Sequence, residues 1–290
     1  MAFEDVLGQV MQWVTATEAM AALAAELELQ LSDSPAPAEV AAALTRVSGA
    51  AGLTGLDELP PPQRMMLVGV IRMYLRQAID LVDDPGRAPG WTYTDPAILD
   101  GWGRASMMVP PMIAASHPDL ATVERVLDVG AGVGLLAVSA AGVWPGATIV
   151  GIDPWEASLD RARANVAQAG LGDRITLRAE DLAAIDDEDE FDCVWIPSFF
   201  LSEADLEKGL PAAVRALRPG GWIALATSRG APDAIGDAVA ALRVIRGGGV
   251  VLDTTRALEL LAAAGCEDAH VAPPPPGPAP LDLVLGRKPV

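Results

Sequence analysis

The chain has few residues that bind metals or form disulfides. Its 290 residues include only two cysteines, Cys193 and Cys266, and two histidines, His117 and His270. These four residues do not have the spacing of a metal site. We therefore expect buried, reduced cysteines and no metal ion.

Positive charge is also scarce. The chain has 20 Lys and Arg residues against 39 Asp and Glu residues, a formal net charge of −19. A nucleic-acid backbone would be repelled, since no basic stripe offsets this charge. The first 45 residues lack Lys and Arg, and no apolar run is long enough to span a bilayer. We therefore expect a cytoplasmic protein with a small-molecule partner, no nucleic acid and no membrane.

One glycine-rich stretch organises the sequence. Val126–Val129 is apolar apart from Asp128, which predicts a strand buried on both faces. Gly130, Gly132 and Gly134 follow at every second position, and an apolar helix then continues from Leu135. Glycines permit positive φ and leave the backbone open to a ligand, so this turn is a predicted ligand site.

The spacing of these glycines distinguishes between cofactors. A dinucleotide turn has the form G-x-G-x-x-G, whereas here the third glycine comes one residue early. The form D-x-G-x-G-x-G resembles the first motif of the class I S-adenosylmethionine-dependent methyltransferases.

Later segments extend the resemblance. A second apolar strand ends in Asp153, whose two carboxylate oxygens suit the hydroxyls of a ribose. A third strand from Ile175 ends in the acidic pair Glu180 and Asp181. A fourth strand covers Phe191–Ile196, and the turn Arg218-Pro219-Gly220-Gly221, common in this family, precedes a fifth.

The resemblance implies a fold and a cofactor site. The fold is α/β, a seven-stranded, doubly wound, mostly parallel sheet whose last strand is antiparallel. In this family the acid at the position of Asp181 contacts the adenine amino group, and Leu182 would pack on the ring. The residues that would bind S-adenosylmethionine are Asp128, Gly130, Ala131, Gly132, Gly134, Asp153, Pro154, Trp155, Glu180, Asp181, Leu182, Ile196 and Pro197.

The first 115 residues show only helical patterns. Apolar residues recur at helical spacing over residues 3–31. Further helices are predicted over 38–47, from the prolines at 60–62 through Ile79 to an end before Pro85, and over 97–108. We predict a helical region over 1–115 and a cofactor-binding domain over 116–290. In related small-molecule methyltransferases, such a region covers the pocket or builds a dimer, so a homodimer through these helices is implied.

Candidate acceptor residues flank the cofactor site. Tyr93, Trp102 and Met108 precede the predicted domain, and Ser198, Phe199 and Phe200 follow its fourth strand. An apolar surface here suits a hydrophobic or aromatic acceptor, although core packing explains single residues of this set equally well.

A catalytic base is harder to assign. Histidine is the residue type suited to proton transfer near neutral pH, so His117 is the candidate, with a histidine in a surface turn as the alternative. Glu203 or Tyr93 are other options, and in-line methyl transfer also proceeds without a base when alignment suffices.

The sequence predicts methyl transfer from S-adenosylmethionine, with release of S-adenosylhomocysteine. One alternative is a protein that binds this cofactor without methylating. A nicotinamide-dependent oxidoreductase is a further alternative, which the early third glycine, Asp181 and the Arg-Pro-Gly-Gly turn disfavour.

Overall fold

The computed structural model describes residues 2–32, 36–231, 233–274 and 281–290. They form two compact units. The first unit comprises the chain up to Pro85 together with Asp95–Ala105, and the second comprises Gly86–Thr94 and Ser106–Val290. The predicted domain boundary at residue 115 differs from this division and stays a prediction. Within the described ranges, no helix is both long and apolar enough to cross a membrane.

The first unit is built from helices. They are α1 (Phe3–Leu31), α2 (Ala38–Ala50), α3 (Pro61–Asp83) and α4 (Pro96–Ser106), with a short 3-10 helix at Leu56–Glu58. Pro61 suits the first position of α3 because the amide of that position has no partner within a helix. The predicted all-helical N-terminal region is confirmed.

Two features hold the helices of this unit together. Glu26 of α1 is buried, and its carboxylate accepts hydrogen bonds from Thr45 Oγ1 at 2.9 Å and from the Ser48 hydroxyl, both on α2. Gly101 of α4 packs closely on α3, where an added Cβ would lie 2.6 Å from Met73 Cβ.

The second unit contains a seven-stranded sheet. The strands are β1 (Arg125–Val129), β2 (Thr148–Ile152), β3 (Ile175–Arg178), β4 (Phe191–Pro197), β5 (Leu217–Ser228), β6 (Glu267–Val271) and β7 (Leu281–Arg287). Their order is β3-β2-β1-β4-β5-β7-β6, and β7 runs antiparallel to both of its neighbours. The predicted fold is confirmed, including the antiparallel last strand.

Helices cover both faces of this sheet. They are α5 (Val109–Ser116), α6 (Leu135–Val143), α7 (Glu156–Gln168), α8 (Glu203–Ala216), α9 (Ala234–Arg246) and α10 (Thr254–Ala263). Val126 and Trp195 share a buried cluster with α5 and α6. Leu127 and Val194, their neighbours in sequence, pack instead with α8 and α10. This alternation of side chains is that of a sheet covered on both faces.

The start of β5 differs from the prediction. The Arg218–Gly221 segment forms a bulge inside β5 rather than a separate turn, because Leu217 already pairs with Phe191 and Trp222 pairs with Cys193. Gly220 has a φ of 78° within this bulge. Lys288, just after β7, exchanges backbone hydrogen bonds with Gly220 and Gly221 at 3.0 and 2.8 Å. Pairing with strands distant in sequence thus extends β5 through a sequence typical of turns.

Candidate active site

The glycine turn after β1 lies at the carboxyl edge of the parallel strands. Gly130, Gly132 and Gly134 have φ values of 70°, 54° and 76°, where side chains are strained. An added Cβ on Gly134 would lie 3.0 Å from Ala162 Cβ of α7, whereas one on Gly132 would meet its nearest atom at 3.8 Å. The turn is therefore packed at its helix end and open at its centre.

Asp153 directly follows β2, and its carboxylate bonds both to the glycine turn and to the segment after β2. Its Oδ2 accepts a hydrogen bond from the Gly132 amide and its Oδ1 one from the Trp155 amide, both at 2.8 Å. Burial raises the pKa of Asp153, and these two amides oppose the shift. Pro154, between the bonded positions, is exposed. A carboxylate can accept more than two hydrogen bonds, so these two amides leave room for a ribose. The contact of Asp153 with a ribose stays a prediction.

Asp128 lies beneath the turn and is fully buried. It pairs in register with Gly151 of β2 and Trp195 of β4. Among the described residues, neither carboxylate oxygen has a hydrogen-bond partner. Burial, and secondarily the charge of Asp153, raise the pKa of Asp128 to about 8. An unpartnered buried carboxylate at the turn suits a cationic ligand group.

Two further polar groups near Asp153 lack partners within the described ranges. The indole nitrogen of Trp155 is buried without an acceptor, and so is the hydroxyl of Ser158. Ser158 lies four residues before Ala162, which contacts the turn, so both occupy one face of α7. The sequence analysis missed Ser158, whose only signal is a serine in the first turn of a helix after an acidic strand end.

The predicted adenine-binding residues have other contacts. The Asp181 carboxylate accepts a hydrogen bond from the Ala183 amide at 2.9 Å, and Glu180 forms an ion pair with Arg178 at 3.5 Å. Leu182 is buried against Gly209 of α8. These contacts leave the contribution of the three residues to cofactor binding a prediction.

The end of β4 adjoins the glycine turn. Ile196 and Pro197 are buried, and Pro197 Cγ would lie 3.5 Å from a Cβ added to Gly130. Ala131 is buried too and lies beside Gly151 of β2. The structure therefore brings the first strand's turn and the fourth strand's end together, as predicted for parallel strands with a common edge.

An aromatic cluster begins directly after β4. We define it as Trp91, Tyr93, Phe199 and Phe200. Ring centroids are 5.2 Å apart for Trp91 and Tyr93, 4.7 Å for Trp91 and Phe200, and 4.8 Å for Phe199 and Phe200. Ser198 is fully buried beside it, and its hydroxyl has no partner in the part of the chain that the structure describes. Four predicted acceptor residues thus lie together, joined by Trp91.

The other two predicted acceptor residues are Trp102 and Met108. Trp102 belongs to the first unit, where its ring meets Tyr74 edge-on at 6.4 Å. Met108 belongs to the second unit, immediately before α5, and is 49% exposed. The assignment of both residues to an acceptor site stays a prediction.

His117 lies near the amino end of β4, away from the glycine turn. Its Nδ1 accepts a hydrogen bond from the Asp119 amide at 3.2 Å, and its ring lies 4.4 Å from that of Trp222. Trp222 pairs with Cys193, four residues before Pro197 and so roughly 13 Å along the strand from the turn. The structure does not bring His117 to the glycine turn, and the geometry gives no support to its predicted role as a base.

Comparison with known proteins adds a family to this geometry. Residues 126–221, from β1 through the bulge of β5, match the family described as Methyltransferase domain. The region includes the glycine turn, Asp153, the acidic pair after β3 and the start of the aromatic cluster. The match therefore covers the same segments that carry the resemblance.

Relatives and a solved structure agree with this match. The ubiquinone biosynthesis O-methyltransferase of Thiobacillus denitrificans is 39% identical over 105 residues, which are 36% of this chain and 44% of the relative. Methyltransferase GfsG of Streptomyces halstedii is 31% identical over 170 residues, 58% of each chain. The chain thus spans about half the length of these curated relatives. An O-methyltransferase family protein from Burkholderia thailandensis shares the fold with a TM-score of 0.71 at 17% identity, over 100% of this chain and 98% of that one.

The fold and the glycine turn define a class I methyltransferase architecture. Residues 126–221 match the methyltransferase domain family, and the solved structure shares the fold of the whole chain. The predicted family resemblance and cofactor class agree with this match. None of these matches supports the oxidoreductase alternative.

Proposed function

We propose that this protein transfers the methyl group of S-adenosylmethionine to a small, apolar, aromatic acceptor bound at the aromatic cluster. One observation supports this most strongly: Pro197, at the strand end that leads into the cluster, lies beside the glycine turn, where a Cβ added to Gly130 would be 3.5 Å from Pro197 Cγ. When bound, the cofactor supplies an electrophilic methyl group on a positively charged sulfur.

The residues at the turn fit such a cofactor. Asp153 makes the site acidic, and a bound cation would lower the pKa of Asp128 by favouring its ionised form. S-adenosylmethionine carries positive charge on its sulfonium and α-ammonium groups. The unpartnered oxygens of Asp128 would accept hydrogen bonds from the ammonium group, and the Trp155 indole N–H would donate one. Gly132 leaves the backbone accessible, so the adenosyl group would approach the turn without meeting a side chain.

The aromatic cluster fits an apolar acceptor. Tyr93 is 8% exposed, and its hydroxyl accepts a hydrogen bond from Arg87 at 2.9 Å, while the Arg87 guanidinium lies 4.6 Å from the ring centroid. This contact fixes the ring and leaves apolar surface around it. Ser198 offers one hydroxyl to a polar atom of the acceptor. We infer that these residues align the acceptor and exclude water, and that no histidine takes part.

Product formation tests the proposal. The purified protein would be incubated with S-adenosylmethionine and, in turn, 1-naphthol, 4-nitrocatechol, glycerol or transfer RNA, and S-adenosylhomocysteine would be measured by mass spectrometry. We expect turnover with an aromatic alcohol only. Phe200→Ala should lose this turnover, whereas Val82→Ala, at a position 78% exposed on α3, should keep it. Cofactor binding without product from any aromatic alcohol would favour the alternative that methylates nothing.

We further propose that the protein forms a homodimer through α1. The first half of this helix is exposed and carries large apolar side chains: Phe3, Val6, Leu7, Val10, Met11, Trp13 and Val14. An apolar surface of this kind on one helix suits a second copy of the chain. Trp13→Glu should halve the mass measured by light scattering, and Gln9→Glu, which adds the same charge at a polar position, should not. A monomeric wild-type protein would contradict the proposal.

A cytoplasmic location is proposed on the state of the cysteines. Cys193 and Cys266 are both free thiols in the structure, as a reducing compartment favours. Fractionation of the native host, with detection by antibody, would test this location.

A further inference from the structure

The glycine run Gly247–Gly249 follows α9 and contacts two segments that are far apart in sequence. One segment is Gly86–Thr94, which carries Trp91 and Tyr93. The other is the 3-10 helix Ser198–Phe200. Through these two segments the contacts of the run reach the aromatic cluster.

Gly249 packs against the second segment. An added Cβ would overlap the carbonyl oxygen of Phe199, a backbone atom that cannot rotate away. The next residue, Val250, donates its amide to the Leu201 carbonyl at 3.0 Å. The run therefore holds the backbone on which Phe199 and Phe200 are carried.

Gly248 packs against the first segment. Its φ is +86°, and an added Cβ would lie 3.0 Å from Gly90 Cα and 3.3 Å from Gly90 N. The Gly90 amide donates to the Arg246 carbonyl at 3.0 Å. Two backbones meet here without an intervening side chain, which requires glycine at position 248.

The first segment transmits this contact to its aromatic residues. Arg87 donates hydrogen bonds to the Gly90 carbonyl at 3.0 Å, to Thr92 Oγ1 at 2.8 Å and to the Tyr93 hydroxyl at 2.9 Å. Trp91, between these residues, packs edge-on against Phe200 at 4.7 Å. Fixing Gly90 therefore fixes the position of Trp91 and Tyr93 relative to Phe199 and Phe200.

We propose that Gly248 and Gly249 are positioning residues that set the shape of the acceptor site by holding its two aromatic segments at one point. They touch neither cofactor nor acceptor and act through Gly90 and Phe199. This inference rests on the proposed function, because it takes the aromatic cluster to be the acceptor site.

Amide hydrogen exchange of the full-length protein tests the proposal. The variants are Gly249→Ala and Gly248→Ala. Gly172→Ala is the control for Gly249→Ala, since an added Cβ there meets nothing within 4 Å. Gly170→Ala is the control for Gly248→Ala, since Gly170 has a φ of +68° and open space. We expect exchange of the Gly90 and Val250 amides to rise about tenfold in both variants, because local opening exposes these bonds. Peptides covering 126–134 should keep their protection, as should both controls.

Two ligand measurements accompany the exchange. S-adenosylhomocysteine should bind both variants within about twofold of wild type, since the glycine turn is unchanged. With an aromatic alcohol that the wild type methylates, the KM for that alcohol should rise about tenfold while kcat changes less than about threefold. A role in overall stability alone would not produce this split.

Two outcomes would overturn the inference. Unchanged exchange at Gly90 and Val250 would mean that the run holds neither segment. An equal rise at 126–134 in both variants would mean that it supports the whole unit. Neither result depends on methyl transfer, whereas a wild-type protein that methylates no aromatic alcohol counts against the proposed function and leaves the exchange result intact.

Discussion

The second unit contains two groups of three glycines with opposite surroundings: the turn at Gly130, Gly132 and Gly134, and the run Gly247–Gly249. At Gly132, in the turn after β1, an added Cβ would meet its nearest atom only at 3.8 Å, so the space above the backbone is free. At Gly249, an added Cβ would overlap the Phe199 backbone. The first group leaves room for a ligand, and the second leaves room for the chain itself. Glycine clusters therefore need their surroundings before a function is assigned to them.

Loss of the Asp153 side chain should give the largest effect on cofactor affinity. Asp153→Ala removes two hydrogen bonds that order the open turn, from the Gly132 and Trp155 amides. We expect affinity for S-adenosylhomocysteine, measured by calorimetry, to fall about 100-fold, because charged hydrogen bonds contribute roughly 1.5–3 kcal/mol each. Asp160→Ala, at an exposed position of α7, is the matched control. Equal affinities in the two variants would mean that the turn is not part of the cofactor site.

The buried carboxyl group of Asp128 beneath the open turn should make the stability depend on pH. The pKa of Asp128 is about 8 in the folded chain, above its ordinary value of 3.8. Between those values the folded state binds more protons than the unfolded state, so the free energy of unfolding falls as pH rises from about 4 to about 8. Asp128→Asn should flatten this decline and raise the unfolding free energy at pH 7 by roughly 4 kcal/mol, which is 1.36 kcal/mol for each pH unit between 3.8 and 7.

Urea unfolding at several pH values, without cofactor, measures this effect. The Gly249→Ala variant should keep the wild-type fall of unfolding free energy with pH, since the atoms nearest to that glycine belong to the Phe199 backbone and not to a carboxylate. If Asp128→Asn shows the wild-type decline as well, the raised pKa does not govern the stability of this region.

A smaller effect is expected from filling the open turn. Gly132→Ala should lower the unfolding free energy by about 1–2 kcal/mol because φ is positive there. Its added methyl group occupies ligand space, so S-adenosylhomocysteine should bind about tenfold more weakly. Acceptor KM should change little. Weaker acceptor binding with unchanged cofactor affinity would reverse the distinction between the two glycine groups.

Local patterns predicted the parts of the molecule that contiguous residues determine. The strand, turn and helix from Val126 to Val143 could be predicted because the apolar run, Asp128 and the glycines follow one another directly. The bulge of β5 could not, since Leu217 becomes part of a strand only through pairing with Phe191. Pairing between distant strands here overrides a sequence that is typical of a turn.

The candidate site shows the same limit. Trp91 meets Phe200, and Gly249 meets Phe199, only after distant segments have folded together. His117 looked available for catalysis because it stands between predicted elements, yet it packs beside Trp222. The unpartnered hydroxyl of Ser158 is visible only once burial is known. The types of these residues can be read from the sequence, but their distances from the glycine turn cannot.

The most direct measurement is a calorimetric titration of the wild-type protein with S-adenosylhomocysteine and, in parallel, with NAD. The account predicts one binding site for S-adenosylhomocysteine and no heat of binding for NAD. Binding of NAD alone would contradict it, because the glycine turn and Asp153 would then serve a dinucleotide and not a methyl donor.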